Sequence, residues 1–166
     1  MKNNNLVRLD GFSENGKFSY AKNAHEIAAR VIDKWHSGIT EAKIAYLFKD
    51  VDNWTSKGKI IMARTYKVPE QWQFLSGYDV LVVINFPVWC DLNSKQREAL
   101  IDHELCHVHK EKNEKTGATT WNLVDHDVEE FAVIVQRHGL WMPDLKKFMR
   151  VAQQMTFGDL KQQIGR

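Results

Sequence analysis

Histidines at positions 103 and 107 bracket a glutamate in the run Ala99-Leu100-Ile101-Asp102-His103-Glu104-Leu105-Cys106-His107. On an α-helix, residues four apart lie one turn above the other, so both imidazoles reach a single metal ion. Glu104 follows the first histidine close to the same face, where its carboxylate can take a proton from water held at that ion. This is the His-Glu-x-x-His signature of zinc hydrolysis. Catalytic zinc has three protein ligands and one open position, so the chain must supply a third donor. The compact pattern that adds a glycine and a third histidine needs them at positions 110 and 113, where Lys110 and Asn113 stand. Donors next concentrate in Asp125-His126-Asp127-Val128-Glu129-Glu130-Phe131. A helix returning antiparallel to the first would present His126, Glu129 or Glu130, and thermolysin-like enzymes take a glutamate at similar distance. His25-Glu26-Ile27-Ala28-Ala29 begins like the signature but has alanine in place of the second ligand. It reads as ordinary helix.

The elements that position these residues are legible in outline. Asn93 or Ser94 caps a signature helix expected from Asn93 to Lys110, with Leu100, Ile101, Leu105 and Val108 as its apolar stripe. His103 and His107 lie at the edge of that stripe. Upstream, Ile27, Val31 and Trp35 with Ala24 and Ala28 predict an amphipathic helix from Asn23 to Trp35, stopped near Ser37-Gly38. Thr40 is expected to cap a second helix, whose apolar face would be Ile44, Leu47 and Phe48. Lys57-Gly58 opens a strand from Lys59 to Val68. Tyr78 to Phe86 is a strand whose unbroken Val80-Leu81-Val82-Val83-Ile84 suits burial on both faces. After a polar loop from Lys110 to Thr120, helices are expected from Asp125 to His138 and from Pro143 onward.

Composition bounds the rest. The 166 residues suit one α+β domain at 21–166, preceded by a polar arm at 1–20 that contains Asn3-Asn4-Asn5. A hydrophobic content of 43% supports a proper core, and a formal charge of +2 gives no case for nucleic acid. Cys90 and Cys106 are too few for a disulfide framework or a zinc ribbon. No secretory leader or membrane-length apolar run is present, so a cytoplasmic protein is expected.

The order of signature helix, polar loop and His126-Asp127-x-x-x-Phe131 resembles the phage metallopeptidase family. The likeness spans roughly residues 26 to 141 and includes Ala45-Tyr46-Leu47-Phe48-Lys49, Lys57-Gly58-Lys59 and Gly77-Tyr78-Asp79-Val80. It continues through Ala99 to Leu105 and His126 to Phe131, with Gly139 and Trp141 beyond. The chain is more distantly similar to SprT-like and WLM zincins, where a histidine a few residues before a phenylalanine is the third ligand. The resemblance therefore implies a zincin-like domain with a small sheet on the signature helix. It implies Zn2+ held by His103, His107 and His126, Glu104 as general base, a protein or peptide substrate, and the host cytoplasm as location. The cysteine-rich ribbon of SprT-like proteins is absent, and with it any inherited case for DNA repair.

Two other functions fit the residues: hydrolysis of a non-peptide amide, or a zinc fold that blocks a host factor without catalysis. An intact Glu104 argues against the second, because a structural site needs no base. Asp102 and Asp127 are read as orienting ligand imidazoles or capping helices. Cys106 is read as a small buried hydrophobe, and His25, His109 and His138 as surface or structural histidines. Trp89 and Trp121 are assigned to the core. Tyr46, Tyr66 and Tyr78 are the candidates for stabilising an oxyanion.

Overall fold

A computed structural model describes residues 17–112, 114–126, 128, 132–140 and 143–164. The chain divides after Val124 into two compact units. The first unit opens with β1 (Phe18–Tyr20), α1 (Lys22–Trp35), a 3-10 turn (Ser37–Ile39) and β2 (Ile44–Lys49). It continues with β3 (Thr55–Ser56), β4 (Lys59–Ile60), β5 (Ala63–Lys67), α2 (Glu70–Ser76) and β6 (Val80–Asn85). It closes with α3 (Phe86–Asp91), α4 (Ser94–Cys106), β7 (Val108–Lys112) and β8 (Thr119–Leu123). The second unit contains α5 (Ala132–His138) and α6 (Pro143–Ile164). Gly139, in the left-handed region at φ 69°, ends α5 by donating its N–H to the Val135 carbonyl. Leu145 is buried on α6. The α+β class is as the sequence implies.

The main sheet runs β1-β2-β6-β5. β2 and β6 are parallel in the middle, with Ile44 opposite Val80, and β1 and β5 add antiparallel edges. The apolar run of β6 is interior, as expected. One face of the sheet presents Ile44, Tyr46, Phe48, Val80, Val82 and Ile84 to a core completed by Ala24, Ala28 and Val31 of α1 and Leu100, Ile101 and Leu105 of α4. The other face carries Ala45, Leu47, Tyr66 and Leu81 along an apolar groove.

Several expectations yield to long-range pairing. Residues 44–49 form a strand, not a helix. Ile44, Leu47 and Phe48 fit a helical stripe, but Ile44, Tyr46 and Phe48 fit a period of two equally well, and the parallel partner β6 decides. Phe18–Tyr20, assigned to the polar arm, is the edge strand β1; residues 1–16 lie outside the described residues. The strand expected from 59 to 68 is two: β4 closes a hairpin with β3 over Lys57 and Gly58, both at positive φ, before β5 joins the sheet. The signature helix stops at Cys106. Val108 to Lys112 pairs with β8, so most of the expected polar loop is a hairpin. In the expected helix from 125 to 138, Asp125, His126 and Val128 are not helical; residues 127 and 129–131 lie outside the described ones.

The start of α4 rests on a reciprocal cap. Asn93 Oδ1 accepts from the Gln96 backbone N–H, and Gln96 Oε1 accepts from that of Asn93, each at 3.0 Å. Asn93→Ala should lower unfolding free energy by about 1 kcal/mol. Urea denaturation checks this, and an unchanged midpoint would contradict it.

Candidate metal centre

The cap fixes where α4 begins, and Arg97 fixes how it leans. Its Nε donates to the Trp89 carbonyl at 3.1 Å while its guanidinium lies over the Trp89 ring, 5.2 Å from the centroid. Leu100, Ile101 and Leu105 then turn one side of the helix into the core. Glu104 goes in with them and is only 4% exposed. His103 is exposed and His107 half-buried, with ring centroids 5.3 Å apart and planes nearly perpendicular.

His107 ends α4 and starts the β7–β8 hairpin. Val108 pairs with Leu123, so the next step of that register sets His107 against Val124. The Val124 N–H donates to the His107 carbonyl at 2.8 Å. The His107 side chain answers: Nδ1 lies 2.7 Å from the Val124 carbonyl oxygen. A carbonyl only accepts, so Nδ1 carries the proton and Nε2 is the nitrogen left to face an ion. His126 follows Val124 by two residues. It belongs to the second unit, whereas His103 and His107 belong to the first. The β7–β8 hairpin, rather than the expected polar loop, fills most of the nineteen residues between His107 and His126. Two imidazoles one helical turn apart, on the exposed side of α4, fit a tetrahedral zinc as two of its ligands.

The hairpin is tied down at both strands. Lys110 Nζ on β7 meets Glu41 Oε2 at 2.5 Å, and that ammonium holds the Glu41 carboxyl below its ordinary pKa. Lys67 Nζ on β5 donates to Asn122 Oδ1 on β8 at 2.7 Å.

Glu104 has a partner that the sequence did not reveal. Thr65, on β5 and 8% exposed, donates its hydroxyl to Glu104 Oε2 at 2.7 Å, with the Glu104 backbone oxygen at 3.1 Å. Oε1 is the carboxylate oxygen left for other work. β5 is an edge strand. The residues that flank it, Met62 and Val68, bond toward β6, as Asn85 N to Met62 O and Val68 N to Asp79 O, both 2.9 Å. Antiparallel alternation then turns the backbone groups of Ala63, Thr65 and Lys67 away from β6.

Other expectations change. The Asp102 carboxylate serves neither a ligand imidazole nor a cap; it meets His36 Nε2 at 2.6 Å. Cys106 is exposed, not buried, because α4 rotates Leu105 inward instead. The Tyr46 hydroxyl is sealed in the core without a hydrogen-bond partner among the described residues, and burial pushes its pKa well up, so it cannot meet a substrate. Tyr66 neighbours Thr65 but points to the opposite sheet face, where it lines the apolar groove with Tyr78. Trp89 and Trp121 are core residues, and His25, His109 and His138 are exposed, as expected. Asp127, Glu129 and Glu130 lie outside the described residues. Thr65, His36 and the Val124 carbonyl carried no motif; only the pairing of strands makes them visible.

A helix that offers two histidines four apart, with a glutamate between them, is the metallopeptidase signature. The chain belongs to the family described as Putative phage metallopeptidase, which it matches over residues 16–153. No curated protein and no solved structure matches it significantly.

Thr65→Val keeps the shape of the side chain and removes the donor from a buried carboxylate. Unfolding free energy should fall by about 1–3 kcal/mol, and Thr65→Ser should recover most of it. Equal stability of the valine variant and wild type in urea would contradict the hydrogen bond's role.

Proposed function

We propose that this phage-family protein is a zinc-dependent peptidase in which His103, His107 and His126 hold Zn2+ and Glu104 is the general base. The observation that supports this best is the pair of imidazoles at helical spacing, His103 and His107, beside the buried carboxylate of Glu104. Bound there, zinc supplies a Lewis acid that acidifies water and polarises a carbonyl. Three neutral imidazoles leave the ion's full charge, which favours acidification more than a ligand set with a carboxylate would.

The protein residues do the positioning and the proton transfer. Thr65 holds Glu104 Oε2, so the carboxylate has one orientation and offers Oε1 to a water proton. Glu104 accepts that proton as the carbonyl carbon is attacked and delivers it to the leaving amine. Burial on α4 keeps the base from swinging into solvent between those two acts. The Val124 carbonyl keeps His107 in one tautomer throughout.

The position of β5 at the end of the sheet favours a peptide over other amides. An extended chain laid beside Ala63 to Lys67 bonds to strand groups that have no strand partner among the described residues. This passes the chain alongside Thr65, whose hydroxyl touches Glu104. Among the described residues no helix is long and apolar enough to cross a membrane.

Purified without chelator, the protein should hold zinc at the three-histidine group, read by elemental analysis. Glu104→Gln should retain that metal and the fold while losing cleavage of a peptide substrate by at least about 100-fold. Retention of most activity would sink the assigned role. In competition with a chelator, His126→Ala should lose far more zinc affinity than Glu129→Ala or Glu130→Ala. A group that only orients a ligand costs about 10–100-fold, whereas a ligand costs the bond itself. Normal binding by His126→Ala, with collapse in a glutamate variant, would transfer the third position to that glutamate.

A further inference from the structure

α4 carries a second pair of donors at helical spacing. Asp102 and Cys106 are four residues apart, each one residue before a histidine of the signature. They therefore lie about 100° round the helix from His103 and His107, on a separate face. α1 ends against that face. His36, its C-terminal cap, places Nε2 2.6 Å from Asp102 Oδ1, and one ligand atom from each of His36, Asp102 and Cys106 lies within 4.8 Å of the other two.

We infer that His36, Asp102 and Cys106 form a second cation site, selective for borderline divalent ions such as zinc or cobalt. The donor chemistry sets the class. An imidazole nitrogen and a thiolate exclude magnesium and calcium, which take oxygen ligands, while nitrogen, sulfur and carboxylate together suit zinc-like ions. Around a tetrahedral ion such donors stand roughly 3.3–3.6 Å apart. The His36–Asp102 contact has to open by less than about 1 Å, and Cys106 has to close by no more than about 1.5 Å. Both movements are available. The Asp102 side chain is 41% exposed and Cys106 is exposed and outside any disulfide, whereas His36, at 14%, is the fixed corner. Carboxylate and thiolate together balance the charge of the ion, and the exposed side leaves the fourth position to water. Filling the site would clamp the end of α1 to the turn of α4 that bears His103 and His107. Nothing in this inference depends on peptide cleavage.

The two sites differ in sulfur, and cobalt reports that difference. Full-length protein, stripped of metal and kept reduced with a non-thiol reductant, is titrated with Co(II). Thiolate ligation gives a near-ultraviolet charge-transfer band that three imidazoles cannot produce. The band should appear in wild type, persist in Cys90→Ser and His126→Ala, and vanish in Cys106→Ser. Cobalt affinity read from it should fall at least tenfold in Asp102→Asn and His36→Gln, both of which can still hydrogen-bond across the α1–α4 contact. Circular dichroism confirms that each variant is folded. Absence of the band in folded wild type would overturn the site. So would a band unchanged by Asp102→Asn and His36→Gln, or one lost in Cys90→Ser, since either reports adventitious thiolate binding.

Discussion

The paired contact between His107 and Val124 is the constraint on which the proposed metal centre depends. At one position the chain stops being helix and becomes strand. The backbone of His107 accepts from Val124 while its ring donates back to the Val124 carbonyl. The first bond fixes the register of β7 on β8; the second fixes which ring nitrogen faces an ion. A shift of register by one residue would turn every side chain of β8 to the other face, Trp121 out of the core included. The burial of Trp121 and the ring orientation of His107 are therefore set by the same hairpin.

A buried carboxylate is the other demand on the fold. Glu104 occupies a position on α4 that packing alone would give to an apolar residue, between Ile101 and Leu105 on the inward side. Desolvating a charge is costly unless it is hydrogen-bonded, and Thr65 supplies that bond from the sheet edge. One hydroxyl thus links the strand suited to an extended substrate with the proposed base. The cost of holding Glu104 inside is offset by the surrounding core of α1, α4 and β6.

How much of this was legible in the residues follows from the range of the interactions involved. Local signals carried far: the α1 pattern, the unbroken β6 run, the Asn93 cap, the glycine stop at 139 and the His-Glu-x-x-His spacing each act over a single turn or strand. What failed was decided at a distance. Residues 44–49 satisfy two periodicities, and only the parallel contact with β6 chooses between them. Val108 to Lys110 reads as the end of the signature helix and the residues after it as a polar loop, because one face of a two-stranded hairpin is solvated and its charged residues conceal the alternation. Glu104, His103 and His107 could be read directly, whereas Thr65 lies thirty-nine residues from its partner and His36 sixty-six from Asp102. His126 stood among three candidates by sequence position, and only the resemblance to a family singled it out.

The most direct measurement is the ligand environment of a single zinc bound to Cys106→Ser protein, read by X-ray absorption at the zinc edge. Ligation by His103, His107 and His126 predicts scattering from three imidazoles, with Zn–N distances of about 2.0–2.1 Å. Scattering from two imidazoles and a carboxylate would contradict it.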